Sequence, residues 1–395
     1  MSKSVAIIGG GPAGLMAAEI IASAGHSVTV YERKPTVGRK FMMAGRGGLN
    51  ITHSEPFEQF ITRYGDATDW LKPALEEFTP ADLRNWCHAL GQETFIGSSG
   101  RVFPAALKAS PLLRAWITRL TSLGVQFKLQ HDWQGFSADG GLLINNTPIK
   151  ADAVVLALGG ASWPKLGSDG SWAVWLKAKG IALTPFAPAN SGFMIKWSDV
   201  FADKYAGQPI KPVVLSVDGM SVQGEIMTTR SGLEGGAIYA LSSRIRKLVE
   251  STGKAVLQLD LRPGVSEAEL VRRLTDGRGS QSFSTYLKKS GGLSHVAASL
   301  LHEVTTQDQR NALSPTALAQ LIKALPLETS APASLERAIS SAGGIARSEV
   351  DEHFMLKRLP SIYAVGEMLD WEAPTGGYLL QATIATAVKA ARAIA

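Results

Sequence analysis

Val5-Ala6-Ile7-Ile8-Gly9-Gly10-Gly11-Pro12-Ala13-Gly14, with the Leu15–Ala24 run and Val28-Thr29-Val30-Tyr31-Glu32 behind it, is the stretch that decides the fold. The four apolar residues read as a strand buried on both faces. The Ala- and Leu-rich run reads as a helix, and Gly25 as its stop. A second strand then ends in an acid, which completes a βαβ unit. The glycines do different things. Gly9 turns the chain out of the strand, Gly11 lets backbone approach a pyrophosphate, and Gly14 lets helix and sheet pack closely. The helix start at Pro12 and Ala13 offers unpaired N–H groups and partial positive charge to phosphates. Glu32 would accept ribose hydroxyls. A bare G-x-G-x-x-G is weak evidence, but strand, glycines, helix, strand and acid in this order are the context a dinucleotide site requires. A carboxylate at position 32 repels a 2′-phosphate, so it favours FAD or NAD over NADP.

The rest of the composition sets limits. With 395 residues, 45% hydrophobic and 19% charged, the chain suffices for two or three ordinary globular domains. Cys87 is the one cysteine, so an internal disulfide or Cys-x-x-Cys redox pair is excluded. The expected compartment is the cytoplasm, because the first residues enter a strand pattern without a secretory leader. No membrane span is expected. No His/Cys/Asp/Glu spacing points to a metal. The net charge of +6 concentrates between positions 240 and 300, where Arg244, Arg246, Lys247, Lys254, Arg262, Arg272, Arg273, Arg278, Lys288 and Lys289 face five acids. That stretch is a solvated helical surface or a footprint for an anionic partner such as RNA.

Further blocks carry a resemblance. Gly38-Arg39-Lys40 leads into Ala44-Gly45-Arg46-Gly47-Gly48-Leu49-Asn50-Ile51-Thr52-His53. Gly100-Arg101-Val102-Phe103-Pro104 follows, then Ala157-Leu158-Gly159-Gly160 and Gly167-Ser168-Asp169-Gly170. Near the end stand Ala342-Gly343-Gly344-Ile345, Ala364-Val365-Gly366-Glu367-Met368-Leu369-Asp370 and Thr375-Gly376-Gly377-Tyr378-Leu379-Leu380-Gln381. In this order the chain resembles the HI0933-like flavoprotein family, also called BaiN/RdsA-like. It departs from the commoner pattern at Gly48-Leu49-Asn50, where many members resemble Arg-Cys-Asn, so no thiol is available there.

The resemblance implies an α/β fold: an FAD-binding Rossmann-like (two-dinucleotide-fold) domain interrupted by a β-rich insert and a small helical domain. We expect residues 1–189 and 343–395 to form the FAD domain and 190–342 the insert, with a helical cap over about 262–330. The residues support this division. Val154–Gly160 and Ile362–Glu367 read as returning buried strands, and Tyr378–Ala395 as a closing helix. Val213–Val217 and Gly224–Met227 read as antiparallel strands about an Asp218-Gly219 turn. Val256–Leu261 reads as another strand. Glu267–Leu274, Phe283–Lys288, Val296–Val304 and Pro315–Leu325 read as helices.

Flavin performs the redox chemistry itself, so no catalytic triad is needed, and none is found. Gly45 to Asn50 is the candidate loop over pyrophosphate or flavin ring, with Arg46 pairing a phosphate and Asn50 bonding flavin or substrate. Arg33, Lys40 and Gly159 join the cofactor set through the same blocks. Gly366, Glu367 and Asp370 are expected near the ribityl and phosphates. Gly376, Gly377, Tyr378, Leu379, Leu380 and Gln381 are expected along the flavin's pyrimidine edge, where N–H groups favour the reduced anion. His53 and Tyr378 are candidate proton donors. Trp163, Trp172 and Trp175 pack the core or stack on a ligand.

Three functions compete. The leading one is a flavin-dependent reductase of an unsaturated C=C substrate, its reductant either NAD(P)H binding transiently, with no second dinucleotide motif to hold it, or another flavin or carrier. The second is reduction of uridine to dihydrouridine in ribosomal RNA, with Phe283 and Tyr286 stacking bases. The third is an FAD-binding sensor or assembly protein without turnover.

Overall fold

The structure, a computed structural model, describes residues 2–44 and 48–395. The chain divides into two compact units, Met1–Pro188 with Ile339–Ala395, and Ala189–Ala338. The expected insert therefore closes four residues early. The strand Ser340–Ile345 pairs with Leu183–Ala189 in a two-stranded sheet, which draws 339–342 into the first unit.

The first unit is built on a five-stranded parallel sheet. In spatial order its strands are Ile362–Ala364, Ala153–Leu156, β1 (Ser4–Ile8), β2 (Ser27–Glu32) and Gln126–Leu129. β1 sits between two neighbours, with Val5 beside Val28 and Ala153, and its Val5, Ala6, Ile7 and Ile8 are all buried. Burial on both faces explains why it reads as an unbroken apolar run. α1 (Pro12–Ser23) follows the glycine turn and packs on the C-terminal helix Tyr378–Ile394. Ala17 and Ala18 on α1, and Ala382 and Ala385 on its neighbour, are fully buried, and small side chains let the axes approach. Both returning strands are shorter than expected. One stops at Leu156 and the other at Ala364, after which Gly366–Met368 forms a 3-10 turn.

Two small antiparallel sheets flank this core. One orders Thr52–His53, Arg101–Pro104 and Thr94–Ile96; the other is the meander Trp133–Phe136, Leu142–Ile144 and Thr147–Ile149.

The second unit carries its own apolar core and a six-stranded sheet. The order is Phe193–Met194, Gly232–Glu234, Met220–Thr229, Pro209–Val217, Ala255–Asp260 and Leu325–Thr329, antiparallel throughout. Five helices, Glu267–Leu274, Phe283–Lys289, His295–Glu303, Gln307–Ala312 and Pro315–Lys323, cover the cap region. Each starts from a Ser or Thr whose side chain accepts a first-turn N–H: Ser266, Ser282, Ser294, Thr306 and Ser314. These caps satisfy donors the helix itself leaves open. The sequence reading missed the polar helix Gln307–Ala312, and it carried the last helix into Leu325, which opens the closing strand of the sheet.

Candidate active site

Gly9 leaves β1 with φ +106°, and a Cβ there would meet the Ala157 carbonyl oxygen at 2.4 Å. A Cβ on Gly14 would lie 1.9 Å from the Gly9 oxygen. Both positions therefore require glycine. A Cβ on Gly11 would meet nothing within 4 Å, so that backbone fronts open space, as close approach of a pyrophosphate demands. The Gly10 N–H donates to Glu32 Oε2 at 2.9 Å, and the Lys34 N–H to Oε1 at 2.8 Å. Glu32 thus braces the turn and still has lone pairs for hydroxyl donors.

A first cleft of about 110 Å³ runs along this turn, lined by Gly9, Gly11, Pro12, Ala13, Glu32, Arg33, Arg39, Lys40, Gly159 and Glu367 among others. It lies at the carboxyl ends of β1 and Ala153–Leu156, where the strand order reverses. Leu166, Gly167 and Ser168 line its far side. Arg33 fastens that segment, donating to the Gly167 carbonyl at 2.6 Å and pairing with Asp169 at 2.9 Å. Its charge is thus spent on protein. Buried Arg39 Nε has no hydrogen-bond partner among the described residues, a donor left over for an anion.

A second cleft of about 430 Å³ shares Pro12, Lys40, Glu367 and Thr383 with the first. At this seam the Lys40 ammonium lies 2.8 Å from Glu367 Oε2 and donates to Ser162 Oγ at 2.8 Å. Phe41, Met43, Leu49, Trp163, Ile339, Leu379 and Leu380 make its walls largely apolar. Gly376 and Gly377 line it too, with φ +133° and +95°. A Cβ on Gly377 would strike the Thr52 backbone at 2.5 Å, so only glycine lets the helix start sit on that strand. This 17-residue helix presents its N-terminus, with open N–H groups and partial positive charge, to the cleft. Asn50 Nδ2 donates to the Thr52 and Val102 carbonyls at 3.2 and 3.3 Å, while buried Oδ1 has no partner among the described residues. An orphan acceptor beside a helix N-terminus matches a flat ring that carries an imide N–H between two carbonyls, as isoalloxazine does. The two joined clefts, the open Gly11 turn, Glu32 and these orphan atoms fit FAD.

Several expected site residues lie elsewhere. Gly45, Arg46 and Gly47 fall outside the described residues. Neither proton-donor candidate lines either cleft. The ring nitrogens of His53 are taken by the Glu55 N–H (3.2 Å to Nδ1) and the Ser99 carbonyl (3.0 Å from Nε2). Tyr378 turns its hydroxyl to Glu55 at 2.5 Å, its ring stacks on His53, and Tyr64 donates to its carbonyl at 2.9 Å. Burial, then the Glu55 bond, pushes the Tyr378 hydroxyl far above its ordinary pKa. Burial would raise Glu55 as well, but hydrogen bonds from Arg63 and Tyr378 outweigh it and hold the carboxyl low. These residues clamp the helix start from behind. Asp370 accepts the Thr184 hydroxyl at 2.6 Å, and Gln381, wholly buried, donates to the Phe78 carbonyl at 2.7 Å; neither lines a cleft. Gly14 and Gly366 act through packing, a Cβ on Gly366 lying 3.2 Å from that of Ala13.

The three tryptophans separate. Trp172 is buried and donates to the Gly159 carbonyl at 2.8 Å. Trp175 covers Gly135, and Trp163 lines the second cleft. The sequence reading put Leu379 and Leu380 along the ring with Gly376 and Gly377, and these four line the second cleft; it missed Thr383 there and His131 and Trp133 in the first cleft. Thr383 follows Leu379 and Leu380 at helical spacing, a readable signal. His131 arrives only because Gln126–Leu129 pairs with β2, which no local motif announces.

A Rossmann-type parallel sheet, a bared glycine turn with its acid, and an adjoining apolar cleft under a helix start define an FAD-dependent oxidoreductase. The chain belongs to the HI0933-like family, whose Rossmann-domain model matches residues 3–393. It is 27% identical to a 3-dehydro-bile acid delta(4,6)-reductase of Clostridium scindens, over 99% of this chain and 98% of that one. It is 22% identical to a ribosomal RNA dihydrouridine synthase of Haemophilus influenzae, over 95% and 94%. In fold it is similar to the 3-ketosteroid delta1-dehydrogenase of Sterolibacterium denitrificans (TM-score 0.53, 11% identity, 100% and 99% covered). No helix among the described residues is long and apolar enough to cross a membrane. Among the described residues no three His, Cys, Asp or Glu side chains are grouped to hold a metal.

Proposed function

We propose that this protein reduces an activated C=C bond in an apolar small molecule, and that the apolar second cleft carries the reading. The flavin ring would fill part of this cleft of about 430 Å³, and the apolar walls beyond it suit a polycyclic hydrocarbon body better than a sugar or phosphate. The similarity to a bile-acid reductase supports the same class. Gly11, Glu32 and the α1 start would hold the pyrophosphate and ribose; Lys40, Glu367, Asn50 and the Gly376-Gly377 turn would hold the ribityl and ring. Bound FAD supplies hydride transfer between a reductant, here NAD(P)H binding transiently, and the substrate carbon. The apolar walls exclude water from the transfer, and the helix N-terminus stabilises negative charge at the ring edge. The proton comes from water at the cleft mouth, since His53 and Tyr378 are committed elsewhere. We place the reaction in the cytoplasm, a reading supported by one buried thiol, Cys87, and no possible internal disulfide.

The test is anaerobic. Reduced holoenzyme is mixed with conjugated enones, and flavin reoxidation and product mass are followed. Reoxidation with a product heavier by two hydrogens is expected. Reoxidation by oxygen alone would favour the non-turnover reading.

The RNA reading draws less support. Arg244 pairs with Asp218, Lys254 with Glu328, and Arg272 and Arg273 with Glu269. Arg262 donates to the Gly292 carbonyl. Phe283 and Tyr286 are buried, and the Tyr286 hydroxyl bonds the Leu274 carbonyl, so neither offers a face to a base. Filter binding to ribosomal RNA over a salt series checks this. Tight binding that weakens steeply with salt would reinstate the RNA substrate.

A further inference from the structure

Among the tryptophans, Trp163 stands apart in backbone and position. Its φ of 62° and ψ of 58° are left-handed, a conformation that a Cβ disfavours. The next residue is Pro164, and a proline also disfavours helical conformations in the residue before it. Such strain persists where the surroundings impose it, and it gathers at ligand sites. Among the described residues the Trp163 N–H has no hydrogen-bond partner and its ring stacks on no aromatic. Trp86, Trp172, Trp197 and Trp371 donate to Glu19, Gly159, Gly232 and Gly366, while the buried N–H groups of Trp116 and Trp133 also lack a partner among the described residues. Half-buried and without such a bond, Trp163 lines the second cleft together with Ile339, Leu379 and Leu380.

We propose that Trp163 is the specificity-determining residue of this cleft. Its indole packs on the apolar body of a polycyclic unsaturated ketone, and its N–H is left for an acceptor oxygen on that substrate. The strained backbone holds the ring in place before the substrate arrives, so little ordering remains to be done on binding. The inference rests on the reductase reading above.

Trp163→Gly removes the indole and relieves the backbone in one step. Oxidised holoenzyme is titrated with progesterone, a polycyclic conjugated enone, and the change in flavin absorbance gives Kd. FAD per chain and the melting midpoint are measured alongside. The variant should keep its FAD, melt no lower than the parent and bind progesterone at least about tenfold more weakly; Trp163→Phe should fall between. An unchanged Kd overturns the inference. So does a lower midpoint with lost FAD, which would make the indole a structural support. Failure of the unsubstituted holoenzyme to bind polycyclic enones at all removes the substrate reading and this inference together. The other two outcomes leave that reading standing.

Discussion

Replacing Tyr378 with Phe tests how the cleft's helix start is held. The hydroxyl donates to a Glu55 carboxylate whose side chain is only 7% exposed. A hydrogen bond to a charged acceptor contributes about 1.5–3 kcal/mol. Arg63 still pairs with Glu55 in the variant, at 3.0 Å through Nε, so the carboxylate is not stranded and the cost falls near about 1.5–2 kcal/mol. For a unit of this size each kcal/mol moves the melting midpoint by about 2–4 °C, which gives a fall of about 3–8 °C. The sign with pH follows from Glu55. Its folded pKa is depressed, so its stabilisation is present above the unfolded carboxyl value and is lost as pH falls through the folded one. Parent and variant should therefore differ most near neutrality and converge as acid protonates Glu55. Differential scanning fluorimetry from neutral pH down to about pH 3 reads both effects. FAD affinity should weaken as well, because Gly376 and Gly377 lose their brace. Midpoints equal within about 1 °C at neutral pH, or a gap that widens in acid, would refute the clamp.

Three other substitutions extend the account. Glu32→Arg withdraws the acceptor from the Gly10 and Lys34 N–H groups and from ribose hydroxyls; FAD affinity should fall about tenfold or more, read by flavin fluorescence on reconstituting the apoprotein. His53→Gln should leave kcat/KM within about threefold of the parent, whereas a loss of about a hundredfold together with one limb of the pH profile would make His53 the proton donor after all. Gly377→Ala forces a Cβ onto the Thr52 backbone at 2.5 Å, at φ +95°; a loss of about 2–4 kcal/mol should show as a lower midpoint in thermal melts and weaker FAD retention.

The sequence revealed the cofactor half of this protein more fully than the substrate half, and the reason is physical. Gly9 and Gly14 sit where a Cβ would strike backbone, Gly11 fronts open space, and Glu32 braces the turn, demands that only certain residues at fixed spacing meet, so their identity is legible. The turn at Gly376-Gly377 is legible for the same reason: a helix start seated on the Thr52 backbone tolerates no side chain. His53 and Tyr378 were read as donors from their motif positions. A motif gives neighbourhood but not direction, and both turn behind the helix to Glu55. The basic stretch of the insert shows the same limit from another side. Composition counts Arg244, Lys254, Arg272 and Arg273 as surplus charge, while folding brings Asp218, Glu328 and Glu269 to them. Leu325 and the helix Gln307–Ala312 were misread because a short apolar run and a short polar run carry little periodicity. Trp163 was noticed for its chemistry, but its left-handed backbone and vacant N–H are properties of the fold alone.

The most direct measurement is the visible absorption spectrum of the purified protein, with the released cofactor weighed by mass spectrometry. The account predicts a flavin spectrum, the mass of FAD and close to one cofactor per chain. A colourless protein that takes up no added FAD would contradict it, and so would release of a nicotinamide dinucleotide in its place.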